Sequence, residues 1–189
     1  MQGLRDAANL AWKLDLVLKD EASDSLLDTI EVERQPQTEW IIQFAIQLGK
    51  VLCELDPASA AERDANLRSL EEPPPIEPPP LSEGVVNRTG AEGSDPLAGR
   101  LGVQGNVALD GSQGRLDDLL GGGWTLITTA ADPLAALDER ERQTLGTLDT
   151  TVVSLDSGSP GSVTDIDGRL TGWLDENAVC AVLVRPDFY

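Results

Sequence analysis

Gly121-Gly122-Gly123-Trp124-Thr125-Leu126-Ile127-Thr128-Thr129 is the stretch that sets the fold class. The glycines break the preceding pattern, and the run that follows is β-branched, apolar and aromatic, which suits a buried strand. Working outward, Pro133 is expected to open a helix carrying Leu134, Leu137 and Leu145, closed by Gly146. Thr151-Val152-Val153-Ser154-Leu155 reads as a second strand, Asp167-Gly168 as a turn, and Leu170, Trp173 and Leu174 as the apolar side of a short helix. Ala178 to Val184 is a third, almost wholly apolar strand. Strand, helix, strand, helix, strand predicts a small α/β sheet with covering helices over residues 101–189.

The N-terminal third is of another kind. Residues 4 to 70 read as helical, with Leu10, Ala11, Leu14, Val17 and Leu18 at helix spacing and Trp12 and Leu16 on another side. Ser23 and Asp24 suit the cap of a short helix through Leu26, Leu27 and Ile30, and Pro36 the first turn of the next. That helix carries Trp40, Ile41, Phe44, Ala45, Leu48, Leu52 and Leu55, and Asp56-Pro57 separates it from a weaker one ending near Leu70. The first helix is apolar on more than one face, and the helix from Trp40 to Leu55 is its one strong partner within the chain. Self-association is the expected outlet for the surplus. Between the two parts, 71–100 reads as a linker. Pro73-Pro74-Pro75 and Pro78-Pro79-Pro80 favour extended geometry, as a spacer or wrapping arm, and Gly84 to Gly99 reads as a mobile surface loop.

Composition narrows the function. The 189 residues carry 14 Lys and Arg against 33 Asp and Glu, a formal −19 that repels phosphate backbones and anionic lipid. Nucleic acid and membrane surfaces are therefore not expected partners. No apolar run reaches the roughly 20 residues of a spanning helix, no signal peptide is read, and a cytoplasmic location follows. With no histidine, a Ser-His-Asp, Cys-His or His-based metal site cannot be built from this chain. Cys53 and Cys180 lie far apart in apolar runs and read as small core residues. Asp165, Asp167 and Gly168 lack the further ligands of a calcium loop and read as a turn. The Gly121-Gly122-Gly123 run precedes a strand rather than a helix, which favours a flexible turn over a phosphate cradle. The strand and helix order is that of a thioredoxin-like unit, but Ala130-Ala131-Asp132-Pro133 stands where a redox Cys-x-x-Cys would be, so disulfide chemistry is excluded.

The most specific text is Gly3-Leu4-Arg5-Asp6-Ala7-Ala8-Asn9-Leu10-Ala11-Trp12-Lys13-Leu14. It is similar to the segment of group A FAD-dependent aromatic-ring hydroxylases that follows their flavin-contacting Gly-Gln-Gly-Met-Asn loop. The similarity continues through Leu26-Leu27-Asp28-Thr29, Glu31 and Glu33-Arg34-Gln35-Pro36, with Ile30 and Gln37 departing from the family's usual Tyr and His. Leu116 to Gly121, Asp167-Gly168, Trp173-Leu174 and Ala181-Val182-Leu183-Val184-Arg185-Pro186-Asp187 resemble the thioredoxin-like C-terminal domain of phenol and 3-(3-hydroxyphenyl)propionate hydroxylases.

The resemblance implies a domain division: 1–70 from the end of the FAD-binding monooxygenase domain, 71–100 a Pro/Gly-rich linker, and 101–189 the thioredoxin-like domain. It implies FAD and NAD(P)H as cofactors of the intact enzyme and a phenolic aromatic compound as substrate. The Gly-x-Gly-x-x-Gly turn that holds the FAD pyrophosphate is not in this sequence, and Met1-Gln2 does not restore the flavin loop in register. The chain is thus expected to be a fragment, inactive alone, with no catalytic and no metal-binding residues, and with Gly3 alone at the edge of the flavin site. Two readings stand: part of a split or truncated monooxygenase that docks on its N-terminal half, or a non-catalytic binding module that docks on another protein.

Overall fold

The computed structural model describes residues 2–71, 76–86, 95–130, 132–135, 137–155 and 162–189. Three helices come first: α1 (Gln2–Leu18), α2 (Ser25–Leu52) and α3 (Pro57–Ser69). The rest is mixed: β1 (Asn106–Leu109), β2 (Ser112–Arg115), α4 (Leu116–Leu120), β3 (Thr125–Thr128), α5 (Glu139–Thr147), β4 (Thr151–Ser154), β5 (Thr164–Asp165), α6 (Arg169–Glu176) and β6 (Ala181–Val184). The α/β class expected from the sequence is what the chain has.

Two compact units divide the chain. One holds Gly3–Asp24 with Leu101–Tyr189, the other Ser25–Arg100 with Gln2. This differs from the division at residues 70 and 100, because α1 groups with the C-terminal residues and not with α2 and α3.

In the first unit β3 pairs in parallel with β4 and antiparallel with β6, with Ile127 opposite Val153 on one side and Val182 on the other. A second three-stranded sheet, in the order β2-β1-β5, is antiparallel throughout. Val107, Leu116, Ile127, Val153, Val163, Leu170 and Leu174 form the shared core. The second sheet was not read from the sequence. Its β1-β2 hairpin turns on Asp110-Gly111, both at positive φ (49° and 80°), the geometry a two-residue hairpin needs to match strand twist.

The helix expected to open at Pro133 begins instead at a capping box. Asp138 Oδ1 accepts from Glu141 N (2.8 Å), and Asp138 N donates to Glu141 Oε2 (2.8 Å). Two orphan amides are satisfied there, so α5 starts at Glu139. The Asp165 and Asp167 carboxylates cap α6, accepting from Thr171 N (2.8 Å) and Arg169 N (3.3 Å). That is a structural use of the acidic turn, as the sequence indicated.

In the second unit α2 runs unbroken through Pro36, where the sequence suggested a new helix. An internal proline costs about 3 kcal/mol. The offset lies beside it: Glu33, Arg34 and Gln37 are buried, Arg34 NH1 donates to Gln37 Oε1 (2.8 Å), and Gln37 Nε2 donates to Pro79 O (3.0 Å). Glu33 Oε1 accepts from Val85 N (2.8 Å), so residues 79–85 are strapped onto the proline-bearing turn. Leu81 is buried, and its amide donates to Gly99 O (2.8 Å). Residues 79–85 are thus held against α2 at both ends. The first proline triplet and residues 87–94 of the glycine-rich loop lie outside the described residues. The break expected at Asp56-Pro57 is the start of α3, where Asp56 caps the helix through Ser59 N (2.9 Å) and Pro57 stands in the first turn. No described helix is long and apolar enough to cross a membrane.

Candidate functional site

Asn9, Trp12 and Lys13 are the buried residues of α1. Their i, i+3, i+4 spacing puts them on one helix face. That face meets the segment after β6. Asn9 Nδ2 donates to Asp187 Oδ2 (2.8 Å), and Lys13 Nζ donates to Asn9 Oδ1 (3.0 Å). Arg185 grips the same carboxylate with two bonds, Nε to Oδ1 at 2.9 Å and NH2 to Oδ2 at 2.6 Å. Both members of that ion pair are buried, so neither charge relies on water. The Arg185 guanidinium lies over the rings of Trp12 (5.0 Å) and Tyr189 (5.8 Å), and Trp12 meets Trp124 edge to face at 5.3 Å. Arg5 NH1 reaches Tyr189 Oη at 3.4 Å. A tight turn holds the segment itself: Arg185 N donates to Tyr189 O (2.7 Å), and Gly102 N to Phe188 O (2.7 Å).

Beside this contact lies a cleft of about 270 Å³. Val103, Ile127, Val184 and Phe188 give it apolar walls, and Arg5, Gln104 and Asp117 supply its polar groups. Burial pushes the Asp117 carboxyl above its ordinary value of 3.8, against a hydrogen bond from Gln104 that acts the other way. A carboxyl raised in the folded state contributes stability below its unfolded value and loses it as pH rises through the folded one. The neighbouring Asp118 is shifted down by its hydrogen bond from Arg115, so only a difference between proteins isolates Asp117. Asp117→Asn is expected to gain stability relative to the parent as pH rises above about 4. Parallel urea titrations between about pH 3 and 7 would show this as diverging midpoints; parallel curves would refute it.

Gly3 sits in the first turn of α1, and a Cβ built there would meet nothing within 4 Å. No described residue forms part of a group of three or more metal-ligating side chains. Cys53 and Cys180 are exposed, which corrects the expectation that both fill the core. Cys180 lies at the turn into β6, where its carbonyl, accepting from Thr129 N (3.0 Å) and Thr128 Oγ1 (2.9 Å), is the part that matters. Gly122 and Gly123 line the cleft, and a Cβ built at either would meet nothing within 4 Å. The Asn9–Asp187–Arg185 network was missed as a site. Its signal was present only as text in two separate similar segments, since nothing in one sequence says that residues 178 apart meet.

Residues 2–45 match the family model described as "FAD binding domain", and residues 99–189 match "HcaD C-terminal domain". Over the whole chain the protein is 33% identical to a probable NADH-specific resorcinol 4-hydroxylase of Rhodococcus jostii, covering 35% of that relative. It is 32% identical over 99% of its length to a 3-(3-hydroxy-phenyl)propionate/3-hydroxycinnamic acid hydroxylase of Burkholderia vietnamiensis, covering 39% of it. Among solved structures, aklavinone-11 hydroxylase in ternary complex with FAD and aklavinone superposes with a TM-score of 0.62 at 25% identity, over 99% of this chain and 35% of that one. The chain thus spans between a third and two fifths of the length of these relatives. Two domain matches in order along one chain, and relatives of one enzymatic class across its length, place it: the chain belongs to the FAD-dependent aromatic hydroxylase family.

Proposed function

We propose that this chain supplies the C-terminal share of an FAD-dependent, NAD(P)H-using monooxygenase that hydroxylates a phenolic ring, and that it does no flavin chemistry by itself. The observation that carries the reading is the order of the two family segments, 2–45 then 99–189, in one chain. The names of the relatives supply the substrate class, a hydroxylated benzene ring, and one of them supplies NADH. The parallel β3-β4 pair, crossed over through α5 and flanked by antiparallel β6, supports a thioredoxin-like assignment for 101–189. In this reading 1–70 ends the FAD-binding domain, 71–100 links, and the location is cytoplasmic.

The residues present do not fit FAD as a complete site. A dinucleotide needs a glycine-rich turn leading into a helix N-terminus, and this sequence has no Gly-x-Gly-x-x-Gly. The cleft beside Asp117, about 270 Å³, is below the roughly 300–1,000 Å³ of drug-sized pockets, and FAD is larger than most drugs. What remains is an edge: the open side of Gly3 and the first turn of α1, whose amides have no partner within the helix.

Docking on an N-terminal half is the proposed partnership. Leu4 and Leu18, 76% and 75% exposed, mark an apolar side of α1 that such a half would cover. The test is FAD titration of the purified chain, followed by co-expression with the N-terminal part of a full-length relative. The chain alone should leave flavin fluorescence unchanged. The pair should co-purify with FAD and oxidise NADH in the presence of a phenol. Stoichiometric FAD on the chain alone would overturn the reading, and failure to associate would favour a separate binding module or self-association.

A further inference from the structure

We propose that the face formed by Trp124, Arg185, Asp187 and Tyr189 is a recognition surface for a helix bearing Asn-x-x-Trp-Lys, with Asp187 as the positioning residue that holds α1, and with it the Gly3 turn, in place. The flavin-side meaning of that turn rests on the function proposed above. The recognition itself rests on geometry. Asp187 is buried and receives three charge-assisted or amide bonds: two from Arg185 and one from Asn9 (2.8 Å). Asn9 turns its amide to Asp187 and its carbonyl oxygen to Lys13, so a single side chain couples the helix cation to the acceptor of the other segment. Only a group with both a donor and an acceptor can do this.

The aromatic part sets the rotation of the helix. Trp12 is held between the Arg185 guanidinium at 5.0 Å and the edge contact with Trp124 at 5.3 Å. Turning α1 by one residue, about 100°, would take both Asn9 and Trp12 off this face together. Meanwhile the opposite side of α1 stays apolar and exposed at Leu4, Leu14 and Leu18. One face is thus used for recognition within the unit, and the other is exposed.

The role predicts a reciprocal rescue. Asn9→Asp places a second carboxylate at hydrogen-bond distance from Asp187, where two like charges oppose each other. Asp187→Asn removes the charge that Arg185 grips. The double variant Asn9→Asp/Asp187→Asn restores one carboxylate and one amide, with the carboxylate now beside Lys13. Hydrogen exchange of the full chain reads the result, α1 amides against those of β3. Each single variant should speed α1 exchange by about tenfold or more, leaving β3 protected, and should raise the solvent exposure of Trp12 in quenching of tryptophan emission. The double variant relieves the carboxylate repulsion but still lacks the charge that Arg185 grips, so it should recover part of the protection lost in Asn9→Asp. Unchanged α1 exchange, equal loss in α1 and β3, or no recovery in the double variant would each overturn the proposal. No flavin enters this experiment, so its failure leaves the family reading standing, and failure of the flavin test leaves this result to stand alone.

Discussion

Leu170→Ala is expected to lower the stability of the first unit by about 2–5 kcal/mol, the cost of a buried leucine truncated in a core that relaxes only in part. Leu170 is wholly buried in the cluster of Val107, Leu116, Ile127, Val153, Val163 and Leu174, which joins both sheets. The space around it is already tight: a Cβ added at Gly105 would lie 3.0 Å from its Cγ. The loss is a large fraction of the roughly 5–15 kcal/mol that separates folded from unfolded states. Urea unfolding followed by tryptophan emission measures it, with Leu134→Ala, at a 39%-exposed position, as the control expected to stay within about 0.5 kcal/mol. If the two variants lose equal stability, the core assignment is wrong.

Gly99→Ala should detach the strap in the second unit. Gly99 has φ +78°, a conformation that costs an L-residue roughly 1–2 kcal/mol, and its Cβ would stand 2.2 Å from the Leu81 carbonyl oxygen. Backbone cannot move aside as the end of a side chain can, so the Leu81–Gly99 bond and the burial of Leu81 are both lost. Gly99→Asn separates the two causes. Asparagine tolerates positive φ but carries the same Cβ, so it should fail as badly as alanine. Gly111→Asn is the control, because its φ is +80° and nothing lies within 4 Å. Limited proteolysis across 76–86 reads the outcome. Protection retained in Gly99→Ala would mean that the strap is held without this contact.

The sequence determined a good deal where the signal is local. Apolar spacing placed α1, the second half of α2 and α6, and β-branched runs placed β3, β4 and β6 close to where they lie. Asp56-Pro57 marked the start of α3, because capping and proline geometry act within one turn. The hairpin at Asp110-Gly111 carries only its turn signal, since its strands, Asn-Val-Ala-Leu and Ser-Gln-Gly-Arg, are short and show little alternation. The lack of histidine and of a dinucleotide turn bounded the chemistry without any structure.

Tertiary structure alone decided the rest. Pro36 stays inside α2 because Glu33 and Gln37 are tied to residues 79–85, an anchor of long sequence separation that local propensity cannot register. Lys13 and Asp187 read as ordinary charged residues; both are buried, and Asn9 links them by accepting from Lys13 within α1 and donating to Asp187 across the fold. Cys180 looked like core because its neighbours are apolar, yet it stands in the turn one residue before β6, where it is exposed. Periodicity tells which residues must be covered. Which surface covers them depends on complementary hydrogen bonds and charges meeting in space, and for α1 that surface is the Arg185–Asp187 turn, 178 residues away from Asn9.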